Sequence, residues 1–110
     1  MRSILAALLL SLAAPSLAAQ GASRGVRLLP SGDWVKAKAE FSVAVQRYDR
    51  EALAHCYLGR LALIDGDLET AAGQLERAVE LDDNVSDYHL WYGKAIGQQD
   101  QAIQRFRAAR

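Results

Sequence analysis

The stretch Ala52–Val85, ALAHCYLGRLALIDGDLETAAGQLERAVELDDNV, carries two helical patterns separated by a turn. Its first half has apolar residues at helical spacing, and so does its second half. These residues are Leu53, Leu58, Leu61 and Ala62, followed by Ala71, Leu75, Ala78 and Val79. Asp65-Gly66 marks the turn, and Asp67 is a good N-cap for the helix that follows. The stretch therefore predicts two helices, the second ending near Leu81.

The whole sequence repeats itself at a fixed interval, which we call the repeat period. This interval is the distance along the sequence from Gly32 to Gly66. Small, bulky and turn residues recur in the same order when the chain is shifted by this interval. The matches are Gly32-Asp33 with Gly66-Asp67, Trp34 with Leu68, Ala37 with Ala71, Phe41 with Leu75, Ala44 with Ala78, Asp49 with Asp83, His55 with His89, Leu58 with Tyr92 and Gly59 with Gly93. A period of about 20 to 50 residues is typical of stacked repeat architectures.

Two further helices flank the quoted stretch. Upstream, an apolar series predicts a helix that Asp33 caps and that ends near Tyr48, after which Asp49 caps the next one. Downstream, Ser86 is a plausible N-cap and Gly97 a plausible C-cap for a fourth helix. Residues 98–110 leave two possibilities open. Their Ala102, Phe106 and Ala109 have second-helix spacing but arrive three residues early, so either they follow a short connection or the fourth helix runs on through Arg107.

These residues resemble the tetratricopeptide repeat family, whose pattern is W-x2-L-G-x2-Y, then A-x3-F, then a closing P. Leu58-Gly59 matches the L-G pair, Ala71 the alanine and Leu75 the phenylalanine. Three positions depart from the pattern: His55, Ala62 and Asp83 replace Trp, Tyr and Pro. The resemblance implies an all-α fold, with antiparallel helix pairs stacked as a short solenoid of about two and a half repeats. Gly59 and Ala71 would let paired helices approach closely, while Leu75 fills the gap between pairs.

The amino-terminal residues 1–18 are typical of a secretory signal peptide, with Arg2, an apolar run and small residues before the predicted cleavage after Ala18. Cleavage after Gly21 is the second choice. The alternative, an uncleaved anchor, has about 11 apolar residues where a membrane span needs ~20. We therefore expect a periplasmic or secreted protein, with a loose segment at 19–31 and a repeat domain at 32–110.

Composition removes several classes of protein. The 110 residues carry 13 basic and 13 acidic side chains, which leaves no basic surplus for nucleic acid. An apolar fraction of 51% with 7% aromatic residues favours packed helices over a β-sandwich. The single cysteine excludes an intrachain disulfide and multi-cysteine zinc sites. No phosphate loop, nucleophile elbow or zinc helix motif occurs, so we expect no catalytic residue, metal or cofactor.

His55, His89 and Cys56 are the remaining candidates for chemistry. The histidines occupy equivalent repeat positions about a helix-packing distance apart and have no evident third ligand, which favours packing over metal binding. Cys56 follows His55, and neighbours on a helix point about 100° apart, so this pair is poorly placed for nucleophilic catalysis. Cys56 is then a small buried or groove-facing residue, or else an exposed thiol open to oxidation.

The family resemblance implies a noncatalytic protein-binding module, in which the first helix of each pair lines a concave groove. Six residues fall on that face: Leu53, Cys56, Arg60, Asp87, Leu90 and Lys94. The asparagines of the family's carboxylate clamp are absent, so we hypothesise an apolar peptide or helix with acidic flanks, held by Leu53 and Leu90 and oriented by Arg60 and Lys94. The alternative is a structural or assembly subunit that associates weakly with its own copies through an end face.

Overall fold

The computed structural model describes residues 17–109, which form five α-helices and no strands. The helices are α1 (Leu17–Leu28), α2 (Trp34–Arg47), α3 (Ala52–Asp65), α4 (Leu68–Leu81) and α5 (Ser86–Ala108). Each helix packs chiefly on its neighbours in sequence, so α1 pairs with α2 and α3 with α4, while α5 packs on α4. The expected all-α solenoid of two and a half repeats is therefore confirmed.

The helix boundaries follow capping chemistry in part. Asp67 caps α4 as predicted, because its carboxylate accepts a hydrogen bond from the backbone N–H of Thr70 at 3.2 Å. Hydrogen bonding by the Thr70 side chain, together with this backbone bond, lowers the pKa of Asp67 below its ordinary value. Asp49 does not cap α3, which begins only at Ala52, and its carboxylate instead pairs with Arg77. The turn before α4 uses Gly66 at a φ of +79°, where glycine is favoured.

The expectation of a loose segment at 19–31 is wrong, because α1 occupies most of it. Gly25 on α1 lies against the ring of Phe41 on α2, and a Cβ added at Gly25 would lie 2.5 Å from Cε1 of that ring. Gly59 makes the same contact with Leu75 in the next pair, where the added Cβ would lie 2.5 Å from Cγ. The upstream repeat thus contains both helices of a pair. Its glycine allows the two helices to approach closely, as the sequence predicted for Gly59 in the next pair.

The half repeat is consequently at the carboxyl end of the chain. Gly97 does not terminate α5, which runs unbroken to Ala108, so the second of the two possibilities for residues 98–110 is correct. Ser86 is the first residue of α5 and Val85 occupies its N-cap position. Tyr88 and Ala95 are buried against the preceding repeat, whereas residues 100–109 are all exposed.

Candidate functional site

A cluster of aromatic rings and cations lies where α3 faces α5. Tyr57 and Arg60 lie one turn apart on α3, and Trp91 and Lys94 occupy the equivalent positions on α5, one repeat period later. The guanidinium carbon of Arg60 is 4.7 Å from the centroid of the Tyr57 ring and 4.2 Å from that of Trp91. The Lys94 Nζ is 4.3 Å from the Trp91 centroid. We call these four residues the cation–aromatic face.

The rings fix the cations without neutralising them. Cation–π contacts of this length contribute about 0.5–1 kcal/mol each at exposed sites. Within residues 17–109, neither Arg60 nor Lys94 forms an ion pair with a carboxylate, whereas Arg24 pairs with Glu40 at 3.2 Å and Arg77 with Asp49 at 2.7 Å. The cation–aromatic face therefore presents two positive charges that the described part of the chain leaves unpaired.

An apolar cavity adjoins this face on the side of α1 and α2. Its volume is about 220 Å³ and its lining residues are Leu29, Trp34, Tyr57, Arg60, Leu61 and Ile64. Two of these are large and half exposed, Trp34 at 45% and Ile64 at 58%. Because Tyr57 and Arg60 belong to both the cavity and the cation–aromatic face, one ligand could fill the cavity and reach the cations. The combined surface suits an apolar side chain beside an acidic group.

The structure does not place the six predicted groove residues on one surface. Arg60 and Lys94 come together on Trp91, and Leu90 is 54% exposed on the same helix. Asp87 is exposed one turn before Leu90, while Leu53 is half buried between the two core clusters.

Cys56 lies in the core and not on a binding surface. Its side chain is 2% exposed, so the groove-facing alternative and the exposed-thiol alternative are both wrong for this residue. Burial raises the pKa of its thiol to about 11, which keeps the thiol protonated near neutral pH. Neither nucleophilic chemistry nor partner contact is available to Cys56 in this conformation.

Sequence reasoning missed the aromatic half of the site. Tyr57 and Trp91 are one repeat period apart, and each precedes a predicted groove cation by three positions, close to one helical turn. That spacing was sufficient to place each ring beside its own cation. Trp34 and Ile64 could not be found in this way, because the cavity they line depends on how the α1–α2 pair packs against α3.

Each histidine lies near the start of a helix and holds the loop that precedes that helix. The Nε2 of His55 donates to the carbonyl oxygen of Asp49 at 2.7 Å, and its Nδ1 lies 2.6 Å from the amide oxygen of Gln74. The Nε2 of His89 donates to the carbonyl oxygen of Asp83 at 2.8 Å. The prediction of a packing histidine is thus confirmed for the buried His55. It is wrong for His89, which is exposed and makes only the equivalent loop contact. Within residues 17–109, no group of three or more His, Cys, Asp or Glu side chains is arranged to hold a metal ion.

Comparisons with known proteins identify the fold. No family model and no curated protein matches this sequence. Among solved structures, the chain is similar to the second tetratricopeptide repeat domain of Spaghetti (RPAP3), bound to the HSP90 peptide SRMEEVD. The TM-score is 0.66 at 22% identity, over 82% of this chain and 86% of that chain. The fold is therefore that of a tetratricopeptide-repeat-like solenoid. None of the helices in residues 17–109 has the length and apolar character needed to cross a membrane.

Proposed function

We propose that this chain is a noncatalytic protein-binding module, an adaptor or scaffold of the tetratricopeptide repeat type. The observation that carries the proposal is the cation–aromatic face, where Arg60 and Lys94 lie on Trp91 without a carboxylate partner in the described chain. The fold supports it as well, since the similar domain of Spaghetti was solved with a bound peptide. Stacked helix pairs present an extended surface of the kind that reads a partner segment.

The partner we propose is a peptide that combines an apolar side chain with acidic residues. The apolar side chain would occupy the cavity beside Trp34 and Ile64, and the carboxylates would pair with Arg60 and Lys94. Ion pairs at solvent-accessible cations contribute about 0.2–1 kcal/mol each, so they orient the peptide more than they hold it. Leu90, which the sequence analysis assigned to this surface together with Leu53, is 54% exposed on α5.

We further propose that the protein works in the periplasm or outside a bacterial cell. The support for this location is the sequence pattern of residues 1–18, most of which lies outside the described residues. Cleavage after Ala18 would shorten α1 by two residues and leave Gly25 in contact with Phe41. The pairing of α1 with α2 is therefore compatible with the predicted processing.

The test is affinity capture from the envelope fraction of the source organism, with three versions of the protein. Wild type should capture its partner, and the R60E/K94E variant should not, because the two cations that the described residues leave unpaired become anions. The control is K36E/R47E, which changes the net charge equally on α2, away from the cation–aromatic face. Circular dichroism checks that all three have the same helical content. Equal capture by all three versions contradicts the proposal.

A second function, assembly through an end face, is favoured by a separate observation. The carboxyl half of α5 extends beyond the repeat on which the helix packs, and Ile103 is 50% exposed within it. A helical repeat whose last unit is incomplete leaves apolar surface uncovered at its end. We propose weak association with a second copy through this end, to be measured by sedimentation velocity across a range of concentrations. A monomer throughout that range contradicts it.

A further inference from the structure

The third repeat has a docking position that no described helix covers. Gly25 and Gly59 are buried, and each lies against the second helix of its own pair, at Phe41 and Leu75. Gly93 is the equivalent residue on α5, one repeat period after Gly59. It is exposed, and no described atom lies within 4 Å of a Cβ added there. The third repeat therefore keeps the glycine of a helix pair while none of the helices in residues 17–109 packs on it.

A neighbouring position on α5 is uncovered in the same way. Leu90 lies one turn before Gly93, and its equivalents in the two complete repeats are Ala22 and Cys56. Those equivalents are 0% and 2% exposed, whereas Leu90 is 54% exposed. In the second repeat this position is buried among residues of α4 and α5. Leu90 and Gly93 together thus form a surface that, in the complete repeats, packed helices cover.

The sequence pattern of a second helix is present further along α5. In the complete pairs, the second helix carries an alanine, a large apolar residue four positions later and an alanine three positions after that. The three sets are Ala37, Phe41 and Ala44; Ala71, Leu75 and Ala78; and Ala102, Phe106 and Ala109. The third set lies on the continuous helix α5 and its C-cap. At about 1.5 Å of rise per residue, Phe106 lies ~20 Å along the axis from Gly93 and cannot reach it within one chain.

The connecting residues explain why the chain does not fold back on itself. The interval from Gly93 to Ala102 is three residues shorter than the interval from Gly59 to Ala71 in the second repeat. The first repeat has the same longer interval as the second. In the second repeat the longer interval includes Gly66, Asp67 and Leu68, which make the turn and start α4. A connection too short for a hairpin favours exchange of the segment between two chains.

We propose that residues 98–109 are an exchanged helix that completes the third repeat of a second copy. In this reciprocal dimer, Phe106 of each chain packs on Gly93 of the other, as Leu75 packs on Gly59, and Leu90 becomes buried. The inference rests on the second proposed function, association through the end face, and specifies which segment is exchanged. A two-fold arrangement covers both docking positions at once and leaves no further copy to recruit.

The first test compares two glycine substitutions that the isolated chain tolerates equally. Gly93→Leu fills the docking position, whereas the control Gly73→Leu lies on α4, where no described atom is within 4 Å of an added Cβ. Sedimentation velocity should show a dimer for wild type and for the control, and a dimer at least tenfold weaker for Gly93→Leu. Circular dichroism should show unchanged helical content in both variants. Equal dimer affinity for all three proteins contradicts the exchange.

The second test restores the longer connection. Inserting Gly-Asp-Leu between Gln99 and Asp100 reproduces the spacing of the second repeat and should let each chain close its own hairpin. The expected result is a folded monomer that melts at least as high as wild type. A dimer of unchanged affinity after the insertion overturns the exchange but leaves end-face association in place. A wild-type chain that stays monomeric at high concentration overturns both.

Discussion

Replacing Gly59 with alanine tests the helix approach on which the repeat depends. The added Cβ would lie 2.5 Å from Cγ of Leu75 and 3.1 Å from the carbonyl oxygen of Ala71. Favourable contact between carbon atoms needs about 3.5–4.0 Å, and Leu75 is completely buried, so it has little room to move. Relieving such an overpacked contact costs about 1–3 kcal/mol of stability.

The substitution also carries a gain, which a matched control measures. Alanine is favoured over glycine inside a helix by about 1 kcal/mol, and Gly73→Ala on α4 receives this gain with no described atom within 4 Å of its Cβ. We therefore expect Gly73→Ala to raise the free energy of unfolding by about 0.5–1 kcal/mol. Gly59→Ala should lower it by up to about 2 kcal/mol, the overpacking cost less the helix gain.

Urea denaturation followed by circular dichroism, at a low protein concentration where self-association is negligible, measures both values. The accompanying shift in Tm should be about 4–8 °C per kcal/mol for a domain of this size. Adding Leu75→Ala removes the side chain that meets the new Cβ, so Gly59→Ala should cost less in that background, with a coupling of about 1–3 kcal/mol. The reasoning is refuted if Gly59→Ala is as stable as Gly73→Ala, or if the two substitutions are simply additive.

Three further predictions concern Cys56, the two histidines and the amino terminus. Stability should fall as pH rises from about 9 to about 11, because the unfolded Cys56 thiol ionises while the buried one keeps its proton, and a thiol reagent should label native Cys56 only as fast as the chain opens. His55→Ala should lower the free energy of unfolding by about 1–3 kcal/mol, since it leaves buried polar groups unpaired, whereas His89→Ala should cost under about 1 kcal/mol in the same urea assay. Amino-terminal sequencing of the exported protein should begin at Ala19, and an intact start at Met1 would show that the segment is retained.

The fold was largely accessible from the sequence because the packing constraints recur once in every repeat period. The boundaries of α2 and α4 follow from apolar spacing and from turn residues such as Gly66. The helix α1 was missed because Gly21, Ser23 and Gly25 lower helix propensity. Its stability comes from tertiary contact, since Gly25 admits the ring of Phe41. The match between Gly25 and Gly59, one repeat period apart, was the available signal.

At Gly97 a local capping rule predicts a helix end that the structure does not have. A glycine after an apolar helical pattern is a good C-cap, yet α5 continues through it to Ala108. The connection is three residues too short for the hairpin seen in the preceding repeats, so the helix extends instead. A cap prediction takes no account of whether the following segment can reach its packing position.

The sequence predicted the charged residues of the candidate site but not its aromatic residues. Arg60 and Lys94 follow from the face that a first helix presents, so their meeting on one surface could be expected. Cys56 lies on the same predicted stripe but faces the core, because it is covered by α4 and Tyr88 of the next repeat. A helical stripe derived from the sequence is too wide to separate a surface position from the edge of the core.

The most direct measurement of the central claim is selection from a random peptide library displayed on phage, with wild type and R60E/K94E as baits. Wild type should enrich peptides in which an aliphatic or aromatic residue is flanked by Asp or Glu. The cavity beside Trp34 is lined by Arg60, Lys94 lies next to Arg60 on Trp91, and no described carboxylate pairs with either cation. The charge-reversed variant should lose this enrichment, whereas K36E/R47E should keep it. Peptides with no acidic bias from wild type, or the same peptides from both baits, would contradict the account.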